Sequence, residues 1–168
     1  MKRKNLSSAL YITRGAIVAA MYVALTYLAS MLGLSSGVIQ VRFSEALTVL
    51  PYFTPAAIPG LFVGCIISNT LAGGALLDVV FGSLATLLGA FGTYLFRKRS
   101  MDLAPVFPIA ANTLIIPWVL KLVYGFEGTV AYFSVTVFAG EFISCALLGI
   151  PLMMLLKRRK ELLDIIVR

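Results

Sequence analysis

Long apolar runs and short polar breaks alternate along the whole chain. Runs at about 11–33, 41–53, 57–73, 77–97, 105–123 and 130–157 are separated by four kinds of punctuation. These are a Gly/Ser stretch (Gly33–Gly37), the prolines Pro51, Pro55 and Pro59, the fold-back signal Ala72-Gly73-Gly74, and two turns, Arg97-Lys98-Arg99 and Tyr124–Gly128. A helix crossing a bilayer needs about 20 apolar residues, and most of these runs approach that length. The pattern predicts an all-α integral membrane protein, a single domain over residues 1–168 with six transmembrane helices. The second run, Val41–Leu50 and its flank, is short. Proline ends it by removing backbone donors and disfavouring helix in the residue before. By length alone it reads as either re-entrant or spanning.

Charge decides between these readings. Of 14 Lys and Arg, 12 fall in three clusters at the edges of apolar runs: Lys2, Arg3, Lys4 and Arg14; Arg97, Lys98 and Arg99; Lys157, Arg158, Arg159, Lys160 and Arg168. Basic flanks mark the cytoplasmic side. If all three clusters lie there, an even number of crossings separates each pair. Two fit between Arg99 and Lys157, and four between Arg14 and Arg97, so the short second run is expected to cross and both termini to be cytoplasmic. The Lys157–Arg168 segment reads as a helix continuing into the cytoplasm.

Composition agrees. The chain is 60% hydrophobic and only 12% charged, with a mean hydropathy of +0.98. Soluble domains are about 25% charged, so lipid must be the solvent for most of the surface. The net charge of +7 is topological, and nucleic acid is not an expected partner. The basic start runs into apolar sequence without a small-residue cleavage site and is expected to be retained. There is no histidine, and Cys65 and Cys145 lie within apolar runs as small hydrophobes. No phosphate-binding G-x-x-x-x-G-K-[ST] motif, metal-ligand cluster or nucleophile–base pair stands out. The chain therefore reads as a non-enzyme without cofactor or metal, and uphill transport by it would need an ion gradient or a separate ATPase.

Ionisable and amide groups within a bilayer are costly, about 2.5–3.5 kcal/mol for a charge on insertion scales, so each asks for a reason. Arg42 and Glu45, three apart on one helix face, form either a local ion pair at a helix start or part of a site. Asn69 and Asn112 suit either helix–helix hydrogen bonding or ligand contact. Asp78 is either a turn cap or a site carboxylate. Lys121 reads as a snorkelling residue and Glu127 as a solvated loop charge. Glu141, deep in the last run between Gly140 and Phe142 with no cationic neighbour in sequence, reads as functional. Most of these groups gather towards the outer half of the bundle, the layout of a site open to the outside. Ala16, Ala20 and Ala24, flanked by Gly15 and Ala19, form a small-residue stripe. It serves either internal packing or the docking of a partner helix.

The stretch Val41-Arg42-Phe43-Ser44-Glu45-Ala46-Leu47-Thr48-Val49-Leu50-Pro51, then Thr54-Pro55-Ala56-Ala57-Ile58-Pro59-Gly60-Leu61, Gly64-Cys65 and Asn69 resembles the QueT family. Members of that family are substrate-binding S components of energy-coupling factor transporters, assigned to queuosine precursors. The resemblance is densest over about Arg42–Gly89. It implies a six-helix fold with both ends inside, in a prokaryotic cell membrane, and an outward-facing site. It also implies docking through Ala16, Ala20 and Ala24 onto a transmembrane coupling subunit that carries two ATPase subunits.

The ligand so implied is prequeuosine, 7-aminomethyl-7-deazaguanine. Its guanine edge presents two N–H donors that a carboxylate accepts in bidentate fashion, a role open to Glu45 or Glu141. Its carbonyl wants a donor, from Asn69, Asn112 or Arg42. Its ammonium wants a second carboxylate, for which Asp78 is available. Its ring wants an aromatic face from Trp118, Tyr124, Tyr132 or Phe138, with cation–π contact as a further hold on the ammonium. An S component for another vitamin-like solute, a self-contained homo-oligomeric channel or ion-coupled carrier, and a small membrane enzyme are the rival readings.

Overall fold

A computed structural model describes residues 2–35 and 39–159. The described chain is all-helical, with six α-helices: α1 (Lys2–Met31), α2 (Ala57–Leu71), α3 (Leu76–Phe96), α4 (Val106–Leu122), α5 (Val130–Glu141) and α6 (Gly149–Arg158). A π-helix, Phe142–Leu148, joins α5 to α6, so that Val130–Arg158 forms one rod of 29 residues. Four helical stretches are long and apolar enough to cross a membrane: Ser8–Met31, Leu76–Phe96, Met101–Leu122 and Val130–Arg158. α2 is a shorter apolar helix. α6 ends at Arg158, where Arg159 adopts φ −103°, ψ 85° and leaves the helical region. Of the helix expected over Lys157–Arg168, only Lys157 and Arg158 are helical among the described residues, and residues 160–168 lie outside them.

The short second run differs most from an ordinary crossing. It is a ten-residue 3-10 helix, Phe43–Tyr52, preceded by extended backbone at Arg42. Residues Ser44–Pro51 are all buried. A 3-10 helix rises about 2.0 Å per residue against 1.5 Å for an α-helix. Stretching in this way lets few residues traverse about 20 Å through the middle of the bundle. Leu47 and Leu50 join Val18, Tyr22, Leu61, Cys65 and Leu156 in the main apolar core, and Val49 packs with Ala104 and Met153.

Small residues let the outer helices close around this segment. A Cβ on Gly60 would lie 2.5 Å from the Gly15 carbonyl oxygen, and one on Gly64 would lie 3.0 Å from that of Ala19; these fix α1 against α2. A Cβ on Gly89 would lie 2.6 Å from Pro108 Cα, which sets the α3–α4 approach. Without a hydrophobic drive between helices in lipid, such close backbone contact supplies the association.

One end of the bundle is built for a cleft. α1 and α2 both finish in Schellman motifs. Gly33 (φ 72°) and Gly73 (φ 75°) turn the chain so that Leu34 N–H donates to Ala29 O, and Gly74 N–H donates to Asn69 O. Glycine is required because the left-handed backbone is strained for other residues. At this same end Tyr124, in the α4–α5 loop, reaches the start of α3. Arg97 and Arg99 lie at the opposite end, each over an aromatic ring of α3, Tyr94 at 3.7 Å and Phe96 at 5.5 Å. The C-terminal turn with Lys157 and Arg158 shares that basic end.

Candidate functional site

α1 carries a polar line, Tyr22, Thr26 and Ser30, one helical turn apart and facing inward. Tyr22 donates its hydroxyl to Glu45 Oε1, Thr26 to Ser44 Oγ at 2.9 Å, and Ser30 to Ser35 Oγ at 3.3 Å. The first two bonds anchor the 3-10 helix and place Glu45, 2% exposed, at the centre of the protein. The second carboxylate oxygen of Glu45 is buried without a hydrogen-bond partner among the described residues.

Glu141 comes to Glu45 from the far side of the bundle. It is the last residue of α5, where the helix widens into the π segment. Such bulges re-aim side chains and recur at functional sites. Carboxylate oxygens of Glu45 and Glu141 and the sulfur of Cys145 all lie within 4.8 Å of one another. The Cys145 thiol donates to Glu141 Oε2 at 3.2 Å, and Cys145 and Thr48 are 3.5 Å apart. The extended segment 40–42 crosses α5 against Gly140, where any Cβ would overlap the Gln40 carbonyl. Arg42 N–H donates there to Ser144 Oγ at 3.1 Å.

Of the two readings of Arg42 and Glu45, the local ion pair is absent. Extended backbone at Arg42 breaks the helical face they were to share. Among the described residues the Arg42 guanidinium has no carboxylate within 4.0 Å and bonds Gln40 Oε1 at 3.4 Å. It lines a cavity with two chambers. The deep one, of about 40 Å³, is walled by Gln40, Arg42, Asn112, Ile116, Thr136 and Glu141. The outer one, of about 410 Å³, opens between the three loops of the cleft end and takes in Thr26, Ser30, Ser35, Asn69, Asp78, Tyr124 and Phe126. Gln40, Arg42, Ile116 and Leu120 belong to both.

Asp78, in the first turn of α3, accepts from the Tyr124 hydroxyl at 2.8 Å, and that hydroxyl accepts from Ala75 N–H at 3.2 Å. Tyr124 also stacks on Phe126, centroids 5.7 Å apart. Asn69 lines the outer chamber and donates to Cys65 Sγ at 3.5 Å. Asn112, 4% exposed, has an amide nitrogen with no hydrogen-bond partner among the described residues. Six of the sequence-derived site residues, Arg42, Glu45, Asn69, Asp78, Asn112 and Glu141, are therefore in or directly beneath one cavity.

Trp118 and Tyr132 are not. Trp118 is 55% exposed and lies in an apolar groove with Leu77, Phe81, Leu84 and Leu114. Six residues along a helix from Asn112 lead to the opposite face. Tyr132 is 49% exposed, rotated off the α5 face that Thr136, Val137 and Glu141 present to the deep chamber. Phe138 stacks on Phe142 with centroids 6.1 Å apart, both on the exterior. The aromatic wall comes instead from Tyr124 and Phe126. Gln40, Phe126 and the Tyr22–Thr26–Ser30 line are the residues that sequence reasoning missed. The last was legible as hydroxyls at i, i+4 and i+8 on an apolar helix.

The small-residue stripe divides in two. Gly15 and Ala19 are buried against α2, whereas Ala16, Ala20 and Ala24 are exposed. Beside them runs an apolar groove of about 270 Å³ that includes Ile12, Ala16, Pro59 and Val63.

A polar cleft is sunk into an apolar helical bundle whose long helices are those of a membrane protein. Comparison with known proteins narrows that class. The family model described as QueT transporter matches residues 12–158, and the chain belongs to that family. Over 88 residues it is 40% identical to the queuosine precursor transporter QueT of Lactococcus lactis subsp. cremoris (strain MG1363). That alignment covers 52% of each chain, so the matched stretch spans about half the length of the relative. No solved structure matches.

Proposed function

We propose that this protein is the substrate-binding S component of an energy-coupling factor importer, taking up a queuosine precursor, 7-aminomethyl-7-deazaguanine. In this reading the chain crosses the cell membrane six times, the 3-10 helix included. Both termini and the basic end are cytoplasmic, and the cleft opens outward. The 7-deazaguanine enters the cleft, and the loaded protein docks on a transmembrane coupling subunit whose two ATPase subunits drive release to the cytoplasm.

One observation carries the ligand class. Two carboxylates, Glu141 on the wall of the deep chamber and Glu45 beside it, lie within 4.8 Å of each other, and among the described residues neither has a cationic side chain within 4.0 Å. One of the oxygens is buried and unpartnered. Buried like charges are costly unless compensated, and a cationic, donor-rich purine analogue compensates them where an anionic vitamin does not. The guanidinium of Arg42 and the amide of Asn112 suit its carbonyl, and the family and the name of the Lactococcus relative point to the same ligand. The exposed Ala16, Ala20 and Ala24 offer the coupling subunit a smooth approach.

Calorimetry on purified protein tests the reading. The aminomethyl ligand is expected to bind, and Glu141→Gln to weaken it by roughly tenfold or more, the scale of a hydrogen bond to a charged group. Unchanged affinity in the variant rules out the role given to Glu141.

A further inference from the structure

Two carboxylates, Glu141 and Asp78, line the cavity system and a third, Glu45, is buried beside Glu141, while the ligand brings both a cation and a two-donor edge. The size and wiring of the chambers decide which meets which. The deep chamber, about 40 Å³, holds about three water molecules at the 10–15 Å³ that each needs. That is room for an aminomethyl arm of two heavy atoms, but not for a bicyclic ring. The outer chamber is ten times larger at about 410 Å³, and its aromatic pair, Tyr124 over Phe126, presents a flat face.

We propose that the ligand's ammonium arm enters the deep chamber and is held between Glu141 and Glu45, while the ring stays outside against Tyr124 and Phe126 with its N–H edge on Asp78. This assignment rests on the reading of the ligand as a cationic deazapurine and fixes its orientation.

The hydrogen bonding of the carboxylates points the same way. Glu45 has one oxygen satisfied by Tyr22 and the other bare among the described residues. Glu141 accepts from the weak thiol donor of Cys145. A primary ammonium carries three N–H donors and a full charge, so it bridges both acids and offsets their mutual repulsion. A neutral guanine edge satisfies one acid and brings no charge to the pair. Asp78 differs on both counts. It is half-buried at the wide mouth and is oriented by Tyr124, which suits a planar pair of neutral donors. Arg42, lining both chambers, is placed to meet the ring carbonyl between them.

The test compares two ligands that share a ring and differ in the arm, cationic 7-aminomethyl-7-deazaguanine and neutral 7-cyano-7-deazaguanine. Both are titrated by calorimetry into the purified full-length protein. The wild type is expected to favour the cation by roughly tenfold to a hundredfold. Glu141→Gln and Glu45→Gln should each erase most of that preference while keeping nitrile binding, which also shows that the fold is intact. Asp78→Asn should weaken both ligands by similar factors and leave the ratio unchanged. A ratio that collapses in Asp78→Asn and survives in the two glutamate variants overturns the orientation alone. Failure of the wild type to bind either ligand overturns the ligand reading and the orientation with it.

Discussion

The Tyr22 hydroxyl on α1 donates to Glu45 on the 3-10 helix, joining the first helix to the buried centre of the bundle. Both residues are almost wholly buried, at 1% and 2% exposed. Tyr22→Phe strips Glu45 of the one donor that it has among the described residues. Losing the partner of a buried polar group costs about 1–3 kcal/mol. The variant is therefore expected to melt at a lower temperature in detergent than the wild type. Tyr27→Phe, at a 41% exposed position, should melt as the wild type does.

Gly140 is where the segment carrying Gln40 and Arg42 crosses α5. Gly140→Ala places a Cβ on the Gln40 carbonyl, and the segment must move away. Because that segment walls both chambers, ligand affinity should fall by roughly tenfold or more, in line with the loss of hydrogen bonds from charged Arg42. Calorimetry reads the affinity, and an unchanged value would show that the crossing does not shape the cavity.

At the α3–α4 interface, Gly89→Ala brings a Cβ to 2.6 Å from the Pro108 backbone, with no flexible side chain to yield. Overpacking of this kind costs about 1–3 kcal/mol. A lowered unfolding midpoint is expected, with ligand affinity unaffected in the protein that remains folded, since neither residue lines the cavity.

Tyr124→Phe keeps the ring that stacks on Phe126 but removes the hydroxyl bridging Ala75 and Asp78. The loss is that of one net hydrogen bond, about 0.5–1.5 kcal/mol, or a twofold to tenfold weaker affinity for the aminomethyl ligand. Tyr124→Ala, which also removes the aromatic face, should be markedly weaker in the same titration.

On the exterior, Ala20→Trp fills the exposed small-residue stripe without touching the cavity. Ligand binding by purified protein should be retained, and uptake by cells should be lost. A Trp variant that still copurifies with the coupling subunits would exclude this strip as the docking surface.

Apolar periodicity determined the helical class and the places where helices break, because a segment immersed in lipid must satisfy its own backbone and so writes its length into the sequence. Gly33, Gly73 and the basic turn at Arg97–Arg99 were readable for the same local reason. Glu141 could be singled out because an acid amid apolar residues demands compensation wherever it lies. What sequence could not supply was phase and contact. Whether Trp118 faces lipid or cleft depends on the rotation of α4 against its neighbours. Spacing three apart suggested that Arg42 pairs with Glu45, but the chain is extended at Arg42 and Tyr22, twenty-three residues away, takes the carboxylate. Glu45 and Glu141 lie ninety-six positions apart and meet only because a stretched 3-10 helix threads the bundle and a π-helix turns α5 towards it. Hydrogen bonds and helix widening of that sort are settled by packing in three dimensions, and they place the two acids beneath one cavity.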